Sequence, residues 1–171
     1  MSLTVTKKNI HTSIAETIQD RIGADDLRRR AFEIFQQLGL PTSKHEEFKH
    51  THITRALEKN FSFSKSKASS NQLEVNKFFL QDLDANTLVF INGVFSEKYS
   101  KIVSPPAEIT ILPLEKALAQ KHPVAMQNFA RYADFQNNAF AAWNTADWSS
   151  GVFIHVPGNS VVEKPVVLHH I

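Results

Sequence analysis

Histidine is the side chain best suited to move protons or bind metals near neutral pH, and this sequence contains eight of them. His45, His50 and His52 crowd into one short polar stretch that also holds Glu46 and Glu47, while His155, His169 and His170 could approach from elsewhere in the chain. Such a set suggests a small histidine-dependent metal-binding enzyme using His45, His50 and His52. The spacing argues against it. Two ligands on one helical face stand four apart, whereas His45 and His50 are five apart with a second glutamate between them. Lys44 to His52 reads more simply as a polar connection between two helices, with Phe48 turned inward. His155 is predicted on a strand face opposite Ile154, where a packed or surface histidine is the plainer reading.

Other chemistries are excluded by what is missing. The glycines stand at 23, 39, 93, 151 and 158, and no two have the separations that a dinucleotide fingerprint or a P-loop requires for backbone N–H groups to reach phosphate. Gly-x-Ser-x-Gly does not occur, so there is no nucleophile elbow. Cysteine is absent, which removes disulfides, thiolate zinc sites, iron–sulfur ligation by this chain and a cysteine nucleophile together. The close carboxylate pairs, Asp82 with Asp84 and Glu46 with Glu47, lie in polar surroundings that would not raise a carboxyl pKa. No catalytic, cofactor-binding or metal-ligating residue is assigned, and no cofactor is expected in this segment.

Composition narrows the partners. With 42% hydrophobic and 21% charged residues among 171, the chain has the make-up of an ordinary globular protein. A net charge of +2 gives no concentrated field for nucleic acid, and no apolar run approaches the roughly 18 residues of a membrane span. Met1 to Ile10 lacks a signal-peptide core, so the expected location is cytoplasmic.

The elements that would position these side chains follow from periodicity. Ile10, Ile14, Ile18 and Ile22 recur at helical spacing and stop at Gly23. Asp25 caps a second predicted helix whose apolar face is Leu27, Ala31, Ile34, Phe35 and Leu38, ended by Gly39 and Pro41. On its polar side Arg28, Arg29 and Arg30 could bind an anion, but a solvated helix face is favoured. Residues 51–59 add a short third helix. The serine-rich stretch from Ser62 to Asn71 suits a surface loop, residues 62–86 read as a loop or linker, and Leu88 to Ile91, Asn92-Gly93, Val94-Phe95 reads as strand, tight turn, strand. A strand around Ile109 and Ile111 and a short helix from Pro113 follow. The spacing from Val124 to Ala142 predicts a further helical stretch. From Gly151, short apolar segments separated by turns predict strands, and the chain stops inside the last of them. The sequence therefore looks like the front part of something longer, divided into 1–61, 62–86, 87–150 and 151–171.

Several segments, in order along the chain, resemble a known family. Leu38-Gly-Leu-Pro-Thr42, followed by Glu46-Glu-Phe48-Lys49-His50-Thr51, resembles the N-terminal signature of SufD, the D subunit of the Suf iron–sulfur cluster assembly system. There a helix ends in Gly-Leu-Pro-Thr and is followed by an acidic residue, Trp, a basic residue, Tyr and Thr; this chain has Phe48 and His50 in place of the two aromatic residues. Leu88 to Ser96 resembles the family's strand and turn. Ala141 to Ala146, Gly151 to Pro157 and Glu163-Lys-Pro165 resemble the approach to its β-helix. The paralogous SufB shares that approach but is not expected to carry the Leu-Pro-Thr signature.

The resemblance implies an α+β fold comprising an N-terminal helical region, a small β/α portion and the first coil of a right-handed parallel β-helix. It implies a non-enzymatic scaffold with SufB-like and SufC-like partners, in a complex that handles iron–sulfur clusters. A β-helix coil buries its interior only against the next coil. Val152, Ile154, Val161, Val166 and Leu168 are the expected uncovered interior, through which the chain could self-associate.

Overall fold

The computed structural model describes residues 9–23, 25–61, 77, 79 and 83–171. They fall into two units, one combining residues up to 61 with 130–148, the other combining those from 77 to 129 with 149–171. The linker expected at 62–86 lies largely outside the described residues.

The first unit is helical. In α1 (Ile10–Ile22) the isoleucines at every fourth position form one buried stripe, as the spacing predicts. Asn9 caps it by accepting the His11 N–H. Asp25 does the same for α2 (Asp26–Leu38), accepting from the N–H groups of Leu27 and Arg28. Gly39, at φ +65°, ends α2 and donates its N–H to the Phe35 carbonyl. The third helix, α3 (Ile53–Asn60), buries no residue fully.

The core face of α2 differs from the predicted one. Ala31, Phe32 and Phe35 are buried, while Leu38 is 41% exposed. The face is set by a helix distant in sequence, Ala139–Asp147, whose fully buried Ala142 and Ala146 let α2 pack closely against it. Phe32 is drawn into the core and Leu38 is left at its margin.

In the second unit, β1 (Asn86–Ile91) and β2 (Val94–Phe95) form the predicted hairpin. Asn92 and Gly93 both adopt positive φ, 50° and 79°, as a two-residue turn of this hand demands. A second pair joins β3 (Thr110–Pro113) antiparallel to β4 (Val152–His155). Along the other edge of β1 runs β5 (Val166–His170), parallel and in register from Asn86 opposite Val166 to Phe90 opposite His170. Leu88, Phe90, Ile109 and Ile111 form the core, with Phe95, Val152, Val162 and Val166 packed on it. Of the residues expected to be uncovered, Ile154, Val161 and Leu168 are 39%, 76% and 47% exposed.

Two short helices follow β3, namely α4 (Leu114–Ala119) and α5 (Pro123–Asn128). The helical stretch predicted for Val124 to Ala142 is interrupted. It ends at Asn128 and resumes only with α6 (Ala139–Asp147). Between them Ala130 takes φ +55°, and the Asp134 carboxylate accepts from the Gln136 N–H and the Asn137 side chain. These local bonds compete with helix formation.

Candidate functional site

In the helical unit the segments carrying the Leu-Pro-Thr and Glu-Glu-Phe motifs come together with the start of α6. They line an open cleft of about 300 Å³ whose apolar walls are Leu38, Pro41, Phe48 and Phe140. Phe48 sits in a single turn of 3-10 helix (Glu46–Phe48) and meets Phe140 edge-on at 5.7 Å between ring centroids. From there the rings continue inward, with Phe140 against Trp143 at 6.4 Å, Trp143 against Phe35 at 5.9 Å, and Phe35 stacked on His11 at 4.8 Å. Phe48 is half-buried, and its partner is a ring more than ninety positions away. The Asn137-Asn138 pair was the available sequence signal for this wall. Asn138 caps α6, accepting from the N–H groups of Phe140 and Ala141 at 2.9 and 3.0 Å.

Arg28 does not belong to a solvated face. Its guanidinium donates to the carbonyls of Ala146 and Trp148 at 3.1 and 2.8 Å and lies 4.5 Å from the Trp148 ring centre. It thus satisfies backbone at the C-terminus of α6, where a positive charge also complements the helix dipole. Arg29, by contrast, makes an exposed pair with Asp26.

The histidines are dispersed. His45 accepts the Thr42 N–H on Nδ1 at 3.1 Å and helps shape the connection after α2. His50 and His52 are exposed, in the turn before α3 and at its N-cap. Among the described residues no group of three or more His, Asp or Glu is placed to hold a metal ion, so His45, His50 and His52 do not form the ligand set that a metal enzyme would need. In the second unit His122 packs against Phe153 at 4.6 Å and faces His155 at 5.8 Å, and His170 stacks on Phe90 at 4.8 Å.

Among the described residues, three surface groups are electrostatically perturbed. Asp84 is held below the usual carboxylate range by its hydrogen bond to Lys164 and then by that residue's charge, and Lys164 is raised in return. Asp134 is lowered by the Asn137 side chain and then by the Gln136 N–H.

What these features define is a mixed α+β protein whose aromatic and imidazole rings are largely engaged in packing. Comparison with known proteins gives the family. The family model for the SufBD protein N-terminal region matches residues 7–168, and the chain belongs to the SufBD family. It is 25% identical over 141 residues to an iron–sulfur cluster assembly SufBD family protein of a Synechocystis species, covering 82% of this chain and 31% of that protein. The chain thus spans about a third of the length of this curated relative. No helix among the described residues is long and apolar enough to cross a membrane.

Proposed function

We propose that this chain is the N-terminal portion of a SufD-like subunit that serves iron–sulfur cluster assembly in the cytoplasm as a scaffold without catalysis of its own. The observation that carries this is the family match, which runs through both units, from residue 7 to residue 168. The Leu-Pro-Thr segment favours the D-type subunit over its B-type paralogue. Within that role the partners are SufB-like and SufC-like subunits, and the iron–sulfur cluster is cargo of the complex. Strands β4 and β5, with Ile154 and Leu168 exposed on them, are proposed as the first coil of a right-handed parallel β-helix. An open edge on β5 would also let the isolated chain pair with itself.

Co-expression of the full-length polypeptide with SufB-like and SufC-like subunits tests the proposal. A complex surviving gel filtration is expected, and replacing His45, His50 and His52 together by Ala should leave it intact. A polypeptide that elutes alone would contradict the scaffold role.

A further inference from the structure

The cleft beside α6 plays no part in the assembly proposal, yet its surroundings specify a ligand. All of its walls belong to the helical unit. At about 300 Å³ it has room for one bulky side chain, at the lower limit of small-molecule pockets. Leu38 leaves 41% of its surface exposed at the rim, although the aromatic residues of the same helix are buried. The apolar wall is thus open to an occupant.

Charge decides what kind. The ionisable residues lining the cleft are His45, Glu46 and Glu47, with no lysine or arginine among them. Glu46 is partly compensated by Lys49, at 3.7 Å. Glu47 has no ion-pair partner among the described residues. An anionic ligand finds little to bind, because the Asn138 side chain already accepts the N–H groups of Phe140 and Ala141 at the start of α6. A cation joined to an apolar body satisfies both wall and rim. The cleft is partly open to solvent, so a side chain can enter it from a polypeptide outside.

We propose that this cleft is a docking site for a partner polypeptide carrying a bulky apolar side chain next to a lysine or arginine, with Leu38, Phe48 and Phe140 receiving the apolar group and Glu47 pairing with the cation. The inference stands independently of the iron–sulfur role.

Three capped dipeptides titrated into the isotopically labelled chain test it: acetyl-Phe-Arg-amide, acetyl-Phe-Glu-amide and acetyl-Gly-Arg-amide. Amide signals of residues 38–48 and 137–140 should shift with the first, at a half-saturating concentration about two- to fivefold lower than with the second, as an exposed ion pair warrants. The third should shift none of them. Glu47→Gln should erase the difference between the first two, and Leu38→Asp, at an exposed position, should weaken binding of acetyl-Phe-Arg-amide. Equal half-saturation for Phe-Arg and Phe-Glu, shifts located elsewhere, or no shifts with acetyl-Phe-Arg-amide would overturn the proposal.

Discussion

Asn86 and Ser104 hold each other twice, the Asn86 amide donating to Ser104 Oγ at 2.9 Å while its carbonyl oxygen accepts the Ser104 N–H at 3.0 Å. The same oxygen accepts the Val103 N–H, and the same amide donates to the Lys164 carbonyl. One fully buried side chain thereby joins the start of β1 to segments on either side of it. Asn86→Ala leaves several of these groups without partners and should cost about 2–4 kcal/mol in urea melts. Ser104→Ala removes only the hydroxyl and should cost about 0.5–1.5 kcal/mol. Equal effects would show that the amide is not the junction.

Arg28→Ala should destabilise by about 2–3 kcal/mol, because it frees two carbonyls at the end of α6 and removes the contact with the Trp148 ring. Arg29→Ala, in an exposed pair, should fall within about 0.5 kcal/mol of the parent. Similar costs for the two would return Arg28 to the solvated face.

Phe35 and Leu38 lie one turn apart on α2 and should behave very differently. Phe35 is fully buried, so its truncation to alanine is expected to cost about 3–5 kcal/mol. At the exposed Leu38 the same change should cost less than about 1 kcal/mol. Denaturant midpoints of the two variants distinguish this helix orientation from the one that periodicity alone predicts.

The Asp84–Lys164 pair gives stability a definite pH dependence. Asp84 has a folded pKa below its unfolded value, so its contribution is present above about pH 4 and is lost as pH falls through the lowered folded value. Lys164 is raised, so its contribution holds below the ordinary lysine value and is lost as pH rises through the folded one. Asp84→Asn should flatten both limbs of the stability curve, whereas Asp134→Asn, which removes a second lowered carboxylate, should flatten only the acid limb. Salt should weaken the Asp84 effect, because the pair is exposed. Urea midpoints across pH, with and without added salt, check all three statements.

Much of the fold is legible where the cause is local. The isoleucine stripe of α1, the Asp25 cap and the Asn92-Gly93 turn each depend on residues only a few positions apart, and sequence spacing reports them directly. What is not legible depends on distant partners. The rotation of α2 that buries Phe32 comes from α6. No local spacing marks Asn86, because its partners Val103, Ser104 and Lys164 stand far along the chain. The break after α5 is carried by Asp134 and Asn137, short polar side chains that an apolar pattern overlooks. The cleft is half legible: its Leu-Pro-Thr and Glu-Glu-Phe side carries motifs, while Phe140, on the facing wall, lies more than ninety positions from Phe48 and is marked by no local pattern.

The proposed role of the full-length polypeptide carrying these residues is iron–sulfur cluster assembly. Its most direct test is the activity of iron–sulfur enzymes in a Suf-dependent host after deletion of the corresponding gene. Their specific activity should fall while the amounts of their polypeptides are maintained, and restoring the full-length gene should recover it, with His45, His50 and His52 replaced by Ala as well as unaltered. Unchanged iron–sulfur enzyme activity in the deletion strain would contradict it.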